Sequence, residues 1–216
     1  MDKQIYILGI GHNTPVFMDL ALDCGYHIAG LYHYNDERTG EVNYGYKVLG
    51  SFNDLFQQDI HQKNFLLTMG DIQIRKDRCE RLLKRGGGVI PTLIHPTAVI
   101  SRFAQISACG VLINTLSHIQ ANTVIEDNVT ILSEVIVSHN NVVGAHSFLA
   151  GKAFVGAYTR VGKDVFWGQG ALSISGKVAD IGNGAYIGAA SLLTKNVPSK
   201  AVVCGQPARV IRYFEI

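Results

Sequence analysis

Residues Ile125–Trp167 read IEDNVTILSEVIVSHNNVVGAHSFLAGKAFVGAYTRVGKDVFW, and this stretch decides the fold of the chain. An apolar residue recurs at every sixth position, often with glycine directly after it. A helix would space its apolar residues by three and four, and a flat strand would alternate them in twos. A six-residue repeat instead predicts a parallel β-helix, in which short strands stack coil on coil around a narrow core. The repeated positions are Ile125, Ile131, Val137, Val143, Leu149, Val155, Val161 and Trp167.

The repeat extends in both directions, with two interruptions. Upstream it continues through Ile113 and then shifts phase, so one extra residue is expected near Cys109–Gly110. Downstream, the longer step from Ser173 to Ile181 predicts a bulge within Ile174–Asp180. The β-helix should therefore fill residues 94–216 with roughly six coils of ~18 residues.

Three features of this repeat do not fit a plain stack. Trp167 is large for a narrow core and Ser173 is polar at an interior position. We expect that coil to be distorted, or to face a ligand or a neighbouring subunit. A β-helix also leaves an open terminal strand, which Val210–Ile216 is predicted to cover.

Residues 1–93 alternate between strand-like and helix-like segments. Such β-α-β alternation predicts a small doubly wound, Rossmann-like domain, whose ligands lie beyond the carboxyl ends of its strands. The Gly9-Ile10-Gly11 turn lacks the third glycine of a dinucleotide site, so NAD is not predicted, and a turn without a ligand stays open. Strands are predicted at Gln4–Leu8, His27–Tyr32, Tyr46–Leu49 and Phe65–Met69, and helices at Thr14–Cys24, from Ser51 onward and from Ile72 to about Lys84. Candidate ligand-binding residues at these ends are Gly9, Gly11, Asn35, Asp36, Gly70, Asp71 and Arg75.

Composition narrows the function classes. The chain has 216 residues, 47% of them hydrophobic, and a net charge of +2, so a nucleic-acid partner is not indicated. The four cysteines form no close pair, which argues against a zinc site and against a disulfide scaffold. No secretory signal and no membrane-length apolar run is visible, so we expect a soluble, cytoplasmic protein without membrane insertion.

The residues also carry a family resemblance. The hexapeptide repeat, the ending Val203–Ile211 and the N-terminal segment Ile7–His12 together resemble the bacterial sugar acetyltransferases of the sialic acid O-acetyltransferase family. Members of that family include N-acetyltransferases of nucleotide-linked 4-amino-sugars. The repeat alone would indicate only an acyltransferase-like protein, and its combination with the N-terminal domain is the specific part.

The resemblance implies a left-handed parallel β-helix and a homotrimer with active sites between subunits. It implies acetyl-CoA as co-substrate, no metal, and a nucleotide-sugar held by the N-terminal domain. His139 matches the family histidine and would act as general base, because imidazole has a pKa near working pH. Backbone N–H groups at Gly156 and Ala157 would stabilise the oxyanion, since glycine-rich corners leave such groups free.

Further contacts follow from the same resemblance. Gln169 and Ala189 should meet the pantetheine arm, and Lys195 and Arg209 the CoA phosphates. His12 should border the sugar-nucleotide phosphates together with the two glycines before it.

Three departures from the family pattern bear on the chemistry. Asn140 stands where relatives commonly carry a carboxylate, so a lower rate or another orienting group is expected. Phe148 replaces a second histidine near the thioester, and Tyr34-Asn35 replace an acidic pair, which bears on sugar or nucleotide identity. The main hypothesis is N-acetylation of a nucleotide-linked amino-sugar in surface polysaccharide or glycan biosynthesis. Sugar O-acetylation and a non-catalytic nucleotide-sugar- or CoA-binding protein are the alternatives.

Overall fold

The computed structural model describes residues 3–214, with the backbone alone at 85 and 86. The chain divides into two compact units, Met1–Leu93 and Ile94–Ile216. Each unit buries its own apolar cluster, the first around Leu8 and Phe65 and the second around the repeated aliphatic positions.

The first unit contains strands and helices in alternation. Within the described residues these are β1 (Gln4–Leu8), α1 (Thr14–Asp23), β2 (His27–His33), β3 (Val42–Asn43), β4 (Tyr46–Ser51), α2 (Phe52–Gln57), β5 (Asn64–Leu67) and α3 (Ile72–Gly86), with a 3₁₀ turn at Asp36–Arg38. The predicted strands and helices are confirmed with end shifts of a few residues. Strand β3, in the polar segment after β2, is not among the predicted strands.

These strands form a five-stranded sheet in the order β3-β4-β2-β1-β5. Strand β1 runs parallel to β2 and β5, and β2 runs parallel to β4, while β3 pairs antiparallel with β4. Because parallel strands end at the same edge, the loops after β1, β2 and β5 share one edge of the sheet. The Rossmann-like classification of this unit stays a prediction.

Local sequence explains where the helices begin. Pro15 occupies the first turn of α1, where its missing N–H costs no hydrogen bond. Ser51 and Asp54 form a reciprocal capping box at α2, with hydrogen bonds of 3.1 and 2.8 Å. Asp71 caps α3 by accepting the Ile74 N–H at 2.9 Å.

The second unit is a succession of two-residue strands closed by a hairpin. The short strands are β6 (Leu93–Ile94), β7 (Val99–Ile100), β8 (Gln105–Ile106), β9 (Leu112–Ile113), β10 (His118–Ile119), β11 (Val124–Ile125), β12 (Thr130–Ile131), β13 (Ile136–Val137), β14 (Val142–Val143), β15 (Phe148–Leu149), β16 (Phe154–Val155), β17 (Arg160–Val161), β18 (Phe166–Trp167), β19 (Leu172–Ser173), β20 (Asp180–Ile181), β21 (Tyr186–Ile187) and β22 (Leu192–Leu193). The hairpin consists of β23 (Ala201–Gly205) and β24 (Ala208–Tyr213).

Successive short strands join three different sheets in turn. One sheet runs β22-β19-β16-β13-β10-β7, the second runs β20-β17-β14-β11-β8, and the third runs β24-β23-β21-β18-β15-β12-β9-β6. Val137 pairs in parallel with Ile119 on one side and with Val155 on the other, eighteen residues away in each direction. The parallel β-helix predicted from the repeat is confirmed, and its left-handed winding stays a prediction.

Both predicted interruptions of the repeat are confirmed by the strand register. His118 pairs with Ile136 eighteen residues ahead but with Val99 nineteen residues behind, so one extra residue lies before β9. Arg160 pairs with Asp180, a step of twenty that accommodates the bulge after β19. The register recovers after each insertion because the apolar position must return to the interior.

The interior of the β-helix accommodates Trp167 with regular strand pairing, and the pairing is interrupted at Ser173 instead. Trp167 is fully buried, pairs in register with Leu149, and donates its indole N–H to the Ala171 carbonyl at 3.0 Å. At the next strand, the Gly156 N–H donates to the Ser173 hydroxyl at 2.8 Å. The only pairing between β16 and β19 in the described chain is Phe154 with Leu172, so the ladder is interrupted at Ser173.

The C-terminal segment adds the outermost strand to one of the three sheets. Strand β24 pairs antiparallel with β23, which satisfies the edge of that strand. Val210 and Ile211 remain exposed, and the covering role of residues 210–216 stays a prediction. Residues 215 and 216 of the predicted cap lie outside the described residues.

Ser173→Ala should lower the free energy of unfolding by about 1–3 kcal/mol, because the buried Gly156 N–H loses its acceptor. Ser191→Ala is the matched control. Ser191 is equally buried, but its hydroxyl has no hydrogen-bond partner among the described residues, so removing it should be neutral or stabilising. Urea unfolding at equal protein concentration measures both, and equal losses in the two variants would contradict this account.

Candidate functional site

His139 lies on the turn between β13 and β14. Its side chain is exposed. The interior positions of this part of the repeat are Val137 and Val143, and His139 lies on the outer turn between them. The repeat alone leaves the direction of this side chain open, and the structure shows it pointing outward. A histidine in this position is accessible to a ligand along the outside of the β-helix.

The turn that carries His139 is held by its buried neighbour Asn141. The Asn141 amide donates to the Ser138 carbonyl at 2.9 Å and accepts the Thr159 N–H of the next coil at 2.6 Å. Asn140 adopts a left-handed backbone conformation with φ of 56°, which asparagine tolerates better than most residues. Backbone geometry therefore sets where the imidazole emerges.

Two side chains contact the imidazole of His139. The Asn140 amide nitrogen lies 2.9 Å from Nδ1, and the Tyr158 ring meets the imidazole edge-on at 5.3 Å between centroids. Tyr158 lies at the same corner of the next coil, eighteen residues after Asn140, and its side chain is also exposed. Because Nδ1 is engaged by Asn140, Nε2 is the ring nitrogen that a ligand can reach.

The expectation of free N–H groups at the predicted oxyanion site does not hold. The Gly156 N–H donates to Ser173, and the Ala157 N–H donates to the Ser175 hydroxyl at 2.9 Å. Hydroxyl groups of the following coil have taken the positions that a ligand oxygen would need. The glycine-rich corner therefore does not leave these N–H groups free, because Ser173 and Ser175 accept from them.

The residues predicted to contact CoA fall into three places. Gln169 and Ala189 are exposed on one corner of adjacent coils, and the Gln169 carbonyl accepts the Ala190 N–H at 2.8 Å. Phe148 is 5% exposed and stacks on Phe166 at 5.5 Å between centroids. Phe148 is thus part of a stack of aromatic rings on an outer sheet face, which Tyr186 continues.

Lys195 and Arg209 line one small cavity of about 140 Å³. Both side chains are exposed, and Arg209 reaches the cavity from β24. Two positive charges around this volume are suited to a phosphate group. The structure thus brings Lys195 and Arg209 to one cavity, although strand β23 lies between them in the sequence.

A larger cavity of about 730 Å³ lies in the first unit, beyond the carboxyl ends of β1, β2 and β5. Of the predicted ligand residues it is lined by Gly9, Gly11, His12 and Gly70. Thr68 lies at the base of the cavity and stabilises the turn after β1, because the Thr68 hydroxyl donates to the Gly9 carbonyl at 2.9 Å. The remaining lining residues are Ile10, Asn13, His33, Tyr34, Phe52, Thr68, Met69, Ile74 and Arg78.

Four predicted ligand residues do not line this cavity. Asn35 and Asp71 use their side chains to cap the 3₁₀ turn and α3, through the Glu37 and Ile74 N–H groups. Asp36 lies exposed within the 3₁₀ turn. Arg75 is 3% exposed, and burial lowers the pKa of its guanidinium to about 10. Arg75 therefore faces the interior of the unit rather than the cavity.

Sequence reasoning missed Arg78, the cation that does line the cavity. Arg78 lies one helical turn after Ile74 on α3, so both share the face that meets the cavity. Its guanidinium sits 5.0 Å from the centroid of Phe52. The signal in the sequence is the four-residue spacing of Arg78 from Ile74, which places both side chains on one face of α3.

The candidate residues from the sequence also omit His33. It is the last residue of β2, and ligands are expected beyond the carboxyl ends of these strands. It is 5% exposed, and burial, together with the Arg38 charge, lowers its pKa below the ordinary value. The Asn35 N–H donates to Nδ1 at 3.1 Å, so the neutral ring carries its proton on Nε2. His33 offers the cavity wall a neutral imidazole.

The described part of the chain shows no group of three or more metal-ligating side chains. Across residues 3–214, no helix is both long and apolar enough to cross a membrane. The expectations that no metal is used and that the protein is cytoplasmic stay predictions.

Comparisons with known proteins place this geometry in context. The acetyltransferase domain of PglB from Neisseria gonorrhoeae FA1090, in complex with acetyl coenzyme A, superimposes with a TM-score of 0.86 and 26% identity, covering 98% of this chain and 100% of that one. A mutant of perosamine N-acetyltransferase from Caulobacter crescentus, in complex with CoA and GDP-perosamine, shares the fold with a TM-score of 0.87, 24% identity and 97% coverage of both chains. The chain is thus similar to acetyltransferases over nearly its whole length.

Sequence comparison finds acetyltransferases as well. Serine acetyltransferase of Buchnera aphidicola subsp. Acyrthosiphon pisum (strain APS) is 35% identical over 119 residues, which are 55% of this chain and 37% of that protein. The chain thus spans about a third of the length of the curated relatives that it matches. No protein-family model matches the chain.

Acid should weaken the fold partly through His33. Since its pKa is lower in the folded protein, its contribution to stability is complete above about pH 6.5 and is lost as the pH falls through the lowered pKa. His33→Asn keeps an acceptor for the Asn35 N–H and does not titrate. The fall in urea midpoint between about pH 7.5 and about pH 5.5 should therefore be smaller in this variant. His12→Asn, at an exposed position, is the control, and a wild-type-sized fall in His33→Asn would refute the assignment.

Proposed function

We propose that this chain is an acetyl-CoA-dependent acetyltransferase that N-acetylates a nucleotide-linked amino-sugar in surface polysaccharide or glycan biosynthesis. The observation that carries the proposal is the exposed, amide-bound His139 on a β-helix corner, in a fold shared over 98% of the chain with an acetyl-CoA-bound acetyltransferase domain. Within the relatives, the sialic acid O-acetyltransferase family is the one we favour.

His139 acts as the general base in this proposal. The acceptor amine attacks the thioester carbonyl, a C–N bond forms, and a ring nitrogen of His139 takes the amine proton. Collapse of the tetrahedral intermediate breaks the C–S bond, and the same proton passes to the departing CoA sulfur. No covalent bond between acetyl group and protein is needed.

Asn140 makes this site electrostatically different from one with a carboxylate. A neutral amide holds the ring by a hydrogen bond but supplies no negative charge to an imidazolium. This feature also favours one alternative, a protein that binds CoA or sugar nucleotide without turnover. An O-acetyltransferase would use the same residues on a hydroxyl acceptor.

Acetyl-CoA would lie along the outside of the second unit. In the proposal Lys195 and Arg209 hold a phosphate, Gln169 and Ala189 meet the pantetheine arm through backbone groups, and Phe148 lies near the thioester. Gly156 and Ala157 stay as backbone neighbours of the acetyl group, without the oxyanion role, because their N–H groups are engaged.

A homotrimer would place this site between subunits. The outer face of the sheet that contains β13 carries a column of apolar side chains in register, one from each coil. Packing of a second copy there would remove them from water beside the corner of His139. The column comprises Ile136, Phe154, Leu172 and Leu192.

The nucleotide-sugar would bind the cavity of the first unit. Gly9, Gly11 and His12 would border its phosphates, and Arg78, rather than the predicted ligand residue Arg75, would supply a positive charge to them. Tyr34 offers an exposed ring on the same wall for a base or sugar.

His139→Ala should lower kcat by about 10²–10⁴-fold while leaving the KM for acetyl-CoA nearly unchanged, because the side chain moves a proton and is not needed to bind CoA. The measurement follows CoA release with acetyl-CoA and a panel of UDP-, GDP- and dTDP-linked 4-amino-sugars. His61→Ala, an exposed histidine of the first unit, is the control. Near wild-type turnover in His139→Ala would remove the proposed base, and no release with any acceptor alongside tight ligand binding would favour the binding protein.

Arg78→Gln should weaken nucleotide-sugar binding about tenfold, since it removes a charge-assisted contact from the cavity wall. Arg81→Gln is the matched control. Arg81 lies on the same helix and stacks on Phe56 at 4.9 Å, as Arg78 stacks on Phe52, but it does not line the cavity. Isothermal titration calorimetry measures both affinities, and equal weakening in the two variants would count against the cavity as the site.

A further inference from the structure

Asn122 occupies the corner directly beneath Asn140, the neighbour of His139, one coil earlier. It lies eighteen residues before Asn140, and both residues adopt the same left-handed backbone conformation with φ of 56°. The Asn140 N–H donates to the Ala121 carbonyl at 3.0 Å, which holds the two corners in register. Their side chains therefore stack along the outside of the β-helix.

A chain of two amides runs from Asn122 to the imidazole. The Asn122 amide nitrogen donates to the Asn140 amide oxygen at 3.1 Å, and the Asn140 amide nitrogen lies 2.9 Å from His139 Nδ1. An amide has a donor end and an acceptor end, so turning one amide requires its neighbour to turn as well. The state of the imidazole is thus connected to Asn122, which does not touch it.

The direction of this chain determines which ring nitrogen holds the proton. With Asn122 donating, Asn140 presents its NH₂ group to Nδ1, and Nδ1 has to accept. A neutral imidazole carries a single N–H, so the proton resides on Nε2. In this tautomer, Nε2 donates a hydrogen bond and cannot take a proton from an acceptor amine.

We propose that Asn122 is a positioning residue that sets the tautomer of His139 through the orientation of the Asn140 amide. The proposal rests on the proposed role of His139 as general base. For Nε2 to act as base, both amides turn over together, so that Asn140 accepts from Nδ1–H and donates to the Asn122 oxygen. A carboxylate at position 140 would favour Nδ1–H outright, whereas the amide pair allows either tautomer.

Asn122→Asp tests this coupling with little change of shape. Aspartate tolerates the left-handed conformation at this corner, so the backbone should be preserved. The introduced carboxylate can only accept, so it should take the Asn140 N–H and turn the Asn140 oxygen toward Nδ1. The variant should therefore move the proton of His139 from Nε2 to Nδ1.

The readout is the ¹⁵N NMR spectrum of histidine-labelled protein without substrate, at a pH where His139 is neutral. A difference spectrum against His139→Gln assigns its signals among the eight histidines. The wild type should show Nε2–H. Asn122→Asp should shift the tautomer ratio by about three- to tenfold toward Nδ1–H, because one hydrogen bond changes an equilibrium by about this factor. With acetyl transfer established, kcat should rise in the same variant.

Gln120→Glu is the matched control, because it adds the same charge two residues away without joining the amide chain. It should leave the tautomer ratio unchanged. A wild type with the proton on Nδ1, an Asn122→Asp spectrum like that of the wild type, or an equal shift in Gln120→Glu would each overturn the proposal. The spectrum needs no turnover, so a shift without acetyl transfer would sustain the coupling and reject the proposed activity instead.

Discussion

The backbone hydrogen bonds between coils are the constraint on which the second unit depends. In each strand an N–H donates to a carbonyl about eighteen residues ahead, as Val124 does to Asn141 and Ile136 to Ala153. This ladder stacks equivalent positions into columns, so every corner residue lies above its counterpart from the previous coil. Contacts between side chains that are remote in sequence, such as Asn122 and Asn140, follow from it directly.

The same ladder explains how polar atoms are tolerated inside and at the corners. Where Ser173 interrupts the pairing, its hydroxyl accepts the N–H that a carbonyl would otherwise take. The side-chain oxygen of Asn141 accepts the Thr159 N–H of the following coil, next to the turn of His139, where the strand pairing itself is intact. A buried N–H without an acceptor would destabilise the fold, and side-chain oxygens at these positions provide the acceptor.

The two units present different kinds of surface to a ligand. In the first unit, three parallel strands end at one edge, and their loops enclose a cavity with a neutral His33 and the cation of Arg78 in its wall. In the second, the residues of interest lie on exposed corners and on an open face. A cavity can surround a small ligand on several sides, whereas an exposed corner leaves a side chain such as His139 accessible from solvent.

The sequence by itself determined the elements whose signal is local or periodic. The six-residue spacing predicted the parallel β-helix and both register interruptions, since only residues facing a narrow core must repeat in this way. The strands and helices of the first unit and the position of His139 followed from similar patterns. Four of the eight predicted ligand residues of that unit do line its cavity.

Only the tertiary structure decided what depends on direction or on contacts between coils. It turned Arg75 into the interior and Arg78 toward the cavity. Arg78 follows the cavity-lining Ile74 by one helical turn, whereas Arg75 is the next residue after Ile74 and is rotated about 100° from it around the helix axis. It engaged the N–H groups of Gly156 and Ala157 with serines of the following coil. It also aimed His139 outward and brought the amides of Asn122 and Asn140, eighteen residues apart in the sequence, within hydrogen-bonding distance of each other beside the imidazole.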